Sequence, residues 1–540
     1  MSTTTTTGTL TAGSSKTFTL APGAAVSLTL SPNPRVTITE TPESVSGSGV
    51  GGNTTRVHEP QLPGTFAYGP YAMGGVVVVA VASNSGSSVA WTRKDTVVTM
   101  NEDGTSLVSG DGKAIPIRGY LNDGFSTQAP LSIANGASST WASDNGTIAL
   151  SAVGASYAHP DFPQVSFSSI TMTPNNATAR VVLLSQTQFV LNDTFTLAVA
   201  VTDFPSSGAY FKIAFSSDNF ATKAIVYAWD SAAAYRPNGV IYLTLGTNET
   251  GAGNGGGINS GAGFFSVGGQ LITDTFNSVK VELYGLSGIP VKLLGVWSGK
   301  KQKGKLILGF DDCLESQYNI VYPYCKDRGI PLTLALTSGL IGLGGYMTLS
   351  QATDMYANGM VDFVGHGQTH TVMTSLTAAQ VLSEANASKT YLADNGFLRG
   401  IDCMVYPENA YNASVLALCR RAGYRFARSA ARYYISDYVF GMDDAMSMGS
   451  RTLSGVTLAQ AKAVIDAANA TGQTVWLYGH KILDQNNPSG VGGPPPGTAT
   501  EWYKDDFYAL IDYAASSSIS KVSWSDFQSH MLSVPPVVVA

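Results

Sequence analysis

The alternation of hydrophobic and polar residues changes character near residue 300 of the chain. Before that point, short runs such as AAVSLTL and SVKVELYGL alternate apolar residues with hydroxyl or charged ones, and Gly, Asn, Ser and Pro separate the runs. Alternation with a period of two predicts half-buried β-strands joined by turns. We therefore expect all-β modules in residues 1–120 and a β-sandwich in residues 121–299, which would serve as a spacer or as a carbohydrate-binding domain.

After residue 300, short apolar runs alternate with longer patterns of helical period. The strand-like runs are KLILGF, PLTLAL, MVDFVG, IDCMVY, YRFARS, TVWLYG and KVSW. The helical patterns cover Leu349–Ala357, Ala378–Asn395, Ala413–Ala422 and Leu458–Thr471. Strands that alternate with helices predict a mostly parallel sheet, and about seven such units suit a barrel. We therefore expect a multidomain chain in which residues 300–540 form a distorted (β/α) barrel.

Composition and charge exclude several classes of protein. The 540-residue chain has 31 Lys and Arg against 37 Asp and Glu, a formal net charge of −6, and no basic stripe that would neutralise nucleic-acid phosphates. No apolar run approaches the roughly 18 residues that a membrane-spanning helix needs. The first residues, MSTTTTTGTL, lack the basic and apolar regions of a signal peptide. We therefore expect no nucleic-acid partner, no membrane span and no export by the signal-peptide route.

Polar or structurally unusual residues follow four of the predicted strands. These are Asp311-Asp312 after KLILGF, His366 and His370 after MVDFVG, Tyr406-Pro407 at the end of IDCMVY, and His480 after TVWLYG. In parallel barrels and open α/β sheets, ligands gather at the carboxyl ends of the strands. The four strand ends therefore predict one active site at that edge of the sheet.

The spacing of two histidines adds a metal to this prediction. His366 and His370 are four residues apart, so on a helical turn both imidazoles would point to one side and could bind one ion. With one carboxylate they form a set of two histidines and one aspartate, which leaves positions open for water and substrate. Nitrogen and oxygen ligands of this kind suit a divalent ion, and zinc in particular.

The same residues carry a resemblance to a known family. FDDC, GHGQTH, YPENAYN and WLYGHKI resemble, in order, four motifs of the polysaccharide deacetylase (NodB-homology) family, between about Lys303 and Leu532. The resemblance implies a metal-dependent hydrolase that removes acetyl groups from a carbohydrate. The roles that it implies are Asp311 as general base, His480 as general acid, Asp312, His366 and His370 as metal ligands, and Tyr406, Pro407 and Glu408 as the oxyanion and substrate group, with the Glu408 N–H on the oxyanion.

The chain departs from the family pattern at three positions. Cys313 and Asn409 stand where the motifs have glycine, and Gly367 stands where the second motif has Ser or Thr. None of the three changes removes a metal ligand, the acid or the base. The hydroxyl missing at Gly367 normally braces the histidine loop, so we expect weaker metal binding.

Two groups of residues keep alternative interpretations. The arginine that often orients the base in this family has three candidates here, Arg399, Arg425 and Arg428. Three aromatic residues are candidates for a sugar platform or, equally, for the core: Trp476, Tyr478 and Trp502. Aromatic faces stack on sugar rings, but aromatic side chains on strands and helices also fill hydrophobic cores.

The N-terminal half suggests where such an enzyme would act. Its Ser-, Thr- and Gly-rich β-modules ahead of a sugar-active domain resemble those of phage tail fibres and tailspikes. The resemblance implies a homotrimer in the virion, found in the host cytoplasm before release, whose residues 1–120 attach to other tail proteins and whose substrate is acetylated capsule or O-antigen. Two alternatives stay open: a deacetylase at the bacterial cell surface, and a glycan-binding virion adhesin with a non-catalytic deacetylase fold.

Overall fold

The computed structural model describes most of residues 141–532. The gaps within that range are 145, 160–164, 184–187, 192–193, 202–208, 230–238, 247–262, 272, 299–302, 431–434, 436, 439–440, 443–444 and 489–499. In residues 1–140 and 533–540 only the strands are described. Among the described residues, no helix combines the length and the apolar character needed to cross a membrane.

The described residues of the range 1–116 form eleven strands. They are β1 Thr3–Leu10, β2 Ser15–Leu20, β3 Ala25–Ser31, β4 Val36–Pro42, β5 Arg56–His58, β6 Gly64–Tyr68, β7 Gly75–Val81, β8 Val89–Thr96, β9 Val98–Met100, β10 Ser106–Ser109 and β11 Ala114–Pro116. The strands form three sheets, in the orders β1-β8-β3-β6, β2-β7-β4-β5 and β11-β10-β9, and the pairs are antiparallel. The β-rich character predicted for this region is therefore present.

The next region is also built from strands. They are β12 Leu131–Asn135, β13 Ala142–Ser143, β14 Ile148–Ala158, β15 Val165–Pro174, β16 Thr178–Leu183, β17 Phe189–Val190, β18 Thr194–Val201, β19 Tyr210–Ser216, β20 Ala224–Trp229, β21 Gly239–Gly246, β22 Gly263–Val267, β23 Thr275–Phe276, β24 Ser278–Tyr284 and β25 Val291–Ser298. One sheet has the order β14-β15-β25-β18-β21, with β12 paired to β25, and a second has the order β13-β16-β24-β19-β20-β22. One buried hydrophobic cluster takes residues from both sheets.

Alternation along the strands explains this burial. In β24, Val279, Val281 and Leu283 are fully buried, whereas the intervening Lys280 and Glu282 are half-buried. Successive side chains of a strand point to opposite faces, so a period of two places one set inside. The pattern that predicted strands in the sequence therefore also determines which face meets the core.

The C-terminal region alternates strands with helices. The strands are β26 Lys305–Asp311, β27 Leu332–Leu336, β28 Val361–Gly365, β29 Cys403–Val405, β30 Phe426–Arg428, β31 Asp437–Tyr438, β32 Gly441–Met442, β33 Arg451–Thr452, β34 Thr474–Gly479, β35 Lys481–Leu483, β36 Glu501–Tyr503 and β37 Ser520–Lys521. The helices are α1 Tyr322–Asp327, α2 Leu349–Ala357, α3 Ala378–Asp394, α4 Ala413–Arg421, α5 Leu458–Thr471, α6 Lys504–Ser516 and α7 Trp524–Leu532.

The main sheet of this region is a parallel half-barrel. Its order is β30-β29-β28-β27-β26-β34-β33, with β37 paired to β26, and the pairs are parallel. The four helices predicted from the sequence are present as α2, α3, α4 and α5. The strand predicted from KVSW is reduced to Ser520–Lys521, because Trp524 already begins α7.

Three of the helices begin in the same way. Thr348, Thr377 and Thr457 each cap a helix by accepting a hydrogen bond from the backbone of a glutamine three residues later, whose side chain accepts one in return. This reciprocal arrangement satisfies two N–H groups that would otherwise lack partners at the start of a helix. The repeated T-x-x-Q sequence thus fixes where α2, α3 and α5 start.

Both faces of the half-barrel are buried. Leu306, Leu308 and Phe310 of β26 join a cluster that includes the surrounding helices, whereas Ile307 faces the other side. On that side, Trp524 of α7 stacks on Trp476 of β34 with ring centroids 5.5 Å apart. The same cluster includes residues of β15, β18, β21 and β25, and the last strand, β38 Val537–Val539, pairs with β15. The upstream sheet therefore packs against the half-barrel.

Candidate active site

The carboxyl ends of four strands of the same parallel sheet supply the polar residues of the site. Asp311 ends β26, His366 directly follows β28, the turn Pro407–Asn409 follows β29, and His480 directly follows β34. Because parallel strands place their carboxyl ends at one edge, these residues meet there although they are far apart in sequence. The structure thus brings together the residues that the strand ends predicted.

Asp312, His366 and His370 form a three-residue cluster whose ligand atoms all lie within 4.8 Å of one another. Asp312 Oδ1 lies 3.5 Å from His366 Nε2 and 3.2 Å from His370 Nε2. Two ligands bound tetrahedrally at about 2.0–2.1 Å lie about 3.3 Å apart, so the observed separations fit one zinc-sized ion. The set of one oxygen and two nitrogen donors suits the same ion.

Hydrogen bonds and charge prepare this cluster to bind a cation. The Nδ1 atom of His366 lies 2.8 Å from the Val405 carbonyl oxygen, which leaves Nε2 directed at Asp312. Burial alone would raise the pKa of Asp312, but the adjacent imidazoles of His366 and His370 hold it well below its usual value. The adjacent Asp312 carboxylate also raises the pKa of His370. The cluster is therefore held together by an ionised carboxylate between two imidazoles.

The prediction that His366 and His370 lie on a helical turn is wrong. His366 leaves the end of β28 in a loop in which Gly367 has φ +75° and His370 has φ +63°. These left-handed residues turn the backbone sharply, and the turn brings the two imidazole centroids to 4.8 Å. The spacing in the sequence pointed to the correct pair, but the geometry that unites the pair is that of a tight loop.

Asp311 is held by a bidentate ion pair with Arg428. Arg428 Nη1 donates to Asp311 Oδ1 at 2.8 Å, and Nη2 donates to Oδ2 at 2.6 Å. Both side chains are buried, with exposures of 3% for Asp311 and 1% for Arg428. Burial would raise the pKa of Asp311, but Arg428 lowers it below the ordinary value and keeps the carboxylate ionised. Among the three candidate arginines, Arg428 is thus the one that contacts Asp311.

The other two arginines serve different carboxylates. Arg399 donates from Nε to Asp362 at 2.9 Å, and Arg425 donates from Nε to Asp402 at 2.7 Å. Both aspartates also accept hydrogen bonds from α7, which closes one face of the half-barrel. Arg399 and Arg425 therefore stabilise the fold away from the catalytic edge.

His480 stands beside Asp311 across a short gap. Its Nε2 atom lies 4.0 Å from Asp311 Oδ2, which is too far for a hydrogen bond but close enough for one reacting group to lie between them. Gln317, which is fully buried, donates from Nε2 to the backbone oxygens of Asp311 and His480, at 2.5 and 2.9 Å. One amide thus joins the two strand ends. Gln317 was not predicted from the sequence, because nothing in the neighbouring residues indicates that its amide reaches two distant strand ends.

The turn after β29 presents one free backbone donor. Glu408 adopts a left-handed conformation with φ +54°, and among the described residues no group accepts a hydrogen bond from its N–H. The following N–H groups donate within the turn, to the carbonyl oxygens of Tyr406 and Pro407. A fixed, unused N–H at the edge of the site is the kind of group that stabilises an oxyanion.

Tyr406 contributes to this turn only indirectly. Its side chain is fully buried, its hydroxyl donates to the Met446 carbonyl oxygen at 2.8 Å, and its ring stacks on Tyr411. The prediction that Tyr406 belongs to the oxyanion and substrate group therefore needs correction, because the side chain anchors the strand end from within. Asn409, in place of the motif glycine, donates from Nδ2 to the Tyr478 hydroxyl at 3.2 Å and ties the turn to β34.

The predicted sugar platform is not formed. The exposed fractions of Trp476, Tyr478 and Trp502 are 1%, 3% and 2%, so none of the rings presents a face to a sugar. Tyr478 lies under Arg428, with the guanidinium carbon 3.8 Å from the ring centroid, and Trp502 donates to the Leu453 carbonyl oxygen. The three rings therefore support the site from the core, which is the alternative that the sequence left open.

Cys313, the residue in place of the first motif glycine, is buried and does not point to the metal cluster. It adopts φ +56°, and its Sγ lies 3.6 Å from the Ala335 carbonyl oxygen. Burial raises the pKa of its thiol well above the usual value. Cys313 is therefore a packed neutral side chain in a conformation that favours glycine.

The site combines a buried aspartate, a facing histidine and three clustered metal-ligating side chains at one edge of the half-barrel, and comparison with known proteins relates this region to a family. Residues 298–427 match the family described as Polysaccharide deacetylase. Bacillus subtilis (strain 168) YxkH, named as a polysaccharide deacetylase, is 31% identical over 127 residues, which are 23% of this chain and 45% of that protein.

A second relative has a more specific name. The poly-β-1,6-N-acetyl-D-glucosamine N-deacetylase of Staphylococcus aureus (strain MSSA476) is 26% identical over 146 residues, covering 24% of this chain and 49% of that protein. The chain thus spans about half the length of the curated relatives that it matches. Among solved structures, Streptococcus pyogenes deacetylase PplD with acetate is similar over 26% of this chain and 62% of that one, at 24% identity and a TM-score of 0.23. The family match and the curated relatives support a polysaccharide deacetylase domain in the C-terminal region.

Proposed function

We propose that the protein is a metal-dependent carbohydrate deacetylase that hydrolyses acetyl groups on a bacterial surface polysaccharide. One observation carries the proposal: the ionised Asp311 faces His480 across 4.0 Å, directly beside the cluster of Asp312, His366 and His370. A base, an acid and a cation site at one edge are the groups that acyl hydrolysis requires. The named activities of the relatives support the same reaction.

Zinc is the proposed cofactor, held by Asp312, His366 and His370. When bound, it would polarise the acetyl carbonyl and lower the pKa of a water molecule. The rest of the chemistry falls to side chains of this protein. Asp311, kept ionised by Arg428, accepts the proton of the attacking water and is the general base.

The leaving group and the oxyanion are served by two other elements. His480 Nε2 faces Asp311 and is placed to donate a proton to the departing amine or hydroxyl, which makes it the general acid. The N–H of Glu408 is directed by its left-handed backbone and donates to the oxyanion that develops on the acetyl carbonyl oxygen. Pro407 fixes the start of this turn because its ring restricts φ.

Acetate release from purified polysaccharides tests the proposal. The full chain is incubated with acetylated capsule, O-antigen, peptidoglycan and poly-β-1,6-N-acetyl-D-glucosamine, with and without a chelator. We expect acetate from at least one substrate, loss of the release with the chelator and its return with zinc. No acetate from any substrate would contradict the activity, and release that resists the chelator would contradict the metal.

The proposed setting is a phage tail fibre or tailspike. The strand-rich residues 1–120 would attach to other tail proteins, and residues 121–299, as a β-sandwich, would space the enzyme or bind sugar. The protein would form a homotrimer, located in the virion and in the host cytoplasm before release. Light scattering on the full chain should give three copies, and electron microscopy with a labelled antibody should mark phage tails. A monomer that is absent from particles would favour the bacterial cell surface.

A glycan-binding adhesin is the second candidate function. It is favoured by the departures from the family motifs at Cys313, Gly367 and Asn409, because a domain that only binds glycan has no need to keep those motifs. An adhesin would bind the polysaccharide equally well with a chelator present and after Asp311→Asn, and it would release no acetate. Measurement of binding and acetate release on the same samples separates the two functions.

A further inference from the structure

The loop that carries the histidines has a backbone conformation that needs external support. Within His366–His370, Gly367 has φ +75° and His370, a residue with a side chain, has φ +63°. Left-handed conformations are unfavourable for residues other than glycine and persist where surrounding contacts determine them. Something outside the loop must therefore hold His370 in this conformation.

Glu384 of α3 supplies these contacts. Its Oε2 accepts hydrogen bonds from the N–H groups of Gln368 at 2.7 Å and Thr369 at 2.9 Å. Its Oε1 accepts the hydroxyl of Thr369 at 2.7 Å. One carboxylate thus satisfies three donors on the two residues that precede His370. Hydrogen bonds to a charged acceptor are shorter and stronger than neutral ones. The three bonds to the Glu384 carboxylate, which we call the Glu384 clamp, therefore oppose a change in the loop conformation.

The glycine at position 367 is compatible with this clamp. A Cβ atom added to Gly367 would lie 3.1 Å from Glu384 Oε2, which is tighter than an ordinary contact. A serine or threonine there would push against the carboxylate and would also be strained by the positive φ. The lack of a side chain at Gly367 therefore leaves the space that the Glu384 carboxylate of α3 occupies.

We propose that Glu384 is a positioning residue for the metal ligands, which fixes His370 through the backbone of Gln368 and Thr369. It takes over the bracing that the hydroxyl of the second motif would provide, so the departure at Gly367 need not weaken metal binding. This inference rests on the proposed metal site. Partners of this kind, one contact removed from the metal, typically change metal affinity by about 10–100-fold when they are lost.

Zinc binding to the metal-free full chain tests this role without reference to turnover. Titration calorimetry is performed on the wild type, Glu384→Ala, Glu384→Gln and Ser383→Ala. We expect Glu384→Ala to bind zinc about 10–100-fold more weakly. Glu384→Gln should stay within a few-fold of the wild type, because its amide oxygen can accept the two N–H groups and its NH₂ can donate to Thr369. Ser383→Ala, on the exposed neighbouring position of α3, should bind as the wild type does.

The outcomes separate this inference from the proposed function. A folded Glu384→Ala that binds zinc within threefold of the wild type would overturn the inference, as would equal losses in the Ala and Gln variants. If Glu384→Ala fails to fold, Thr369→Val removes one of the three bonds to Glu384, together with the hydrogen bond between the Thr369 and Thr371 hydroxyls, and should still weaken zinc binding; an unchanged affinity would overturn the inference. If zinc affinity responds as expected but no substrate yields acetate, the inference stands and the proposed deacetylase activity fails.

Discussion

Two of the aspartate–arginine pairs in the half-barrel, Asp311–Arg428 and Asp362–Arg399, have different neighbours and different roles. At the carboxyl edge, Arg428 binds both oxygens of Asp311, and the partner that faces this carboxylate is His480, 4.0 Å away. Near the start of β28, Arg399 binds one oxygen of Asp362, and the other oxygen accepts the N–H of Ser525 in α7. Asp311 therefore keeps one oxygen facing His480, the proposed general acid. Asp362 uses one oxygen to bind Arg399 and the other to bind α7.

Strained backbone conformations are also concentrated at the carboxyl edge of the sheet. Five of the eight described non-glycine residues with positive φ are Asp312, Cys313, His370, Glu408 and Asn409, all at the carboxyl edge. Each such conformation costs on the order of 1–3 kcal/mol and needs surrounding structure to hold it. No residue with positive φ and a side chain is found in the described part of the sheet's other edge. Pairs of the same two residue types therefore have different roles, because the groups around them differ.

Arg428→Met should have the largest effect. Without the guanidinium, burial would favour the protonated form of Asp311, and a protonated carboxyl cannot accept a proton from water. We expect acetate release to fall by about 10²–10⁴-fold, the usual contribution of a general base. Stability should also fall by about 3–5 kcal/mol, because a buried charge loses its partner. Steady-state rates and urea unfolding provide both values.

The matched control for this variant is Arg421→Met, on the exposed surface of α4. Rate and stability should both stay at the wild-type values. An unchanged rate in Arg428→Met, measured on folded protein, would show that Arg428 does not serve the base.

Arg399→Met should lower stability but leave the catalytic rate almost unchanged. It leaves Asp362 buried without its cation, so the free energy of unfolding should fall by about 3–5 kcal/mol. Arg399 also donates to the Tyr356 and Val361 carbonyl oxygens, and neither residue lies at the catalytic edge. The rate per folded molecule should therefore stay within a few-fold of the wild type. A large loss of rate in folded Arg399→Met would break the distinction between the two pairs.

Gln317→Leu tests whether the two strand ends at the catalytic edge need a common tether. It removes the hydrogen bonds to the backbone oxygens of Asp311 and His480. We expect kcat to fall about tenfold with little change in KM, since two hydrogen bonds of about 0.5–1.5 kcal/mol each are lost. Asn319→Leu, at an exposed position of the π-helical turn Gln317–Val321 that also contains Gln317, should change neither constant. A rise in KM with unchanged kcat would assign Gln317 to substrate binding instead.

The pH dependence of stability gives the smallest effect. Burial alone would raise the pKa of Asp362, but Arg399 and the Ser525 N–H lower it below 3.8. A lowered folded-state pKa contributes stability that is present above about pH 4 and is lost as pH falls through the folded-state value, by up to about 1.4 kcal/mol per pH unit. The stability difference between wild type and Asp362→Asn should therefore be constant from pH 7 to 5 and shrink below pH 4. A difference that persists unchanged at pH 3 would contradict this pairing.

Much of the site could be predicted from the sequence because the end of a strand can be recognised from a few consecutive residues. Asp311, Asp312, His366 and His480 each follow a short apolar run, and the topology of a parallel sheet brings such positions to one edge. The helices α2 to α5 could be located for the same reason, since their period and their capping threonines are adjacent in the chain.

The contacts that hold the site could not be predicted, because they join distant segments. Nothing in the sequence distinguished Arg428 from Arg399 and Arg425, since all three lie in or near predicted strands; only the register of β30 places Arg428 beside Asp311. Glu384 lies 15 residues from Thr369, to which its carboxylate binds. Local pattern therefore predicts which residues reach the edge, whereas tertiary packing determines how they are held.

The most direct test of the account is acetate release by the full chain compared with Asp311→Asn, measured with the zinc content of each sample. We expect the wild type to release acetate from an acetylated polysaccharide and Asp311→Asn to be about 10²–10⁴-fold slower. The zinc content should be the same in both, because Asp312, His366 and His370 are unchanged. Release by Asp311→Asn at the wild-type rate, or none by the zinc-loaded wild type, would contradict the account.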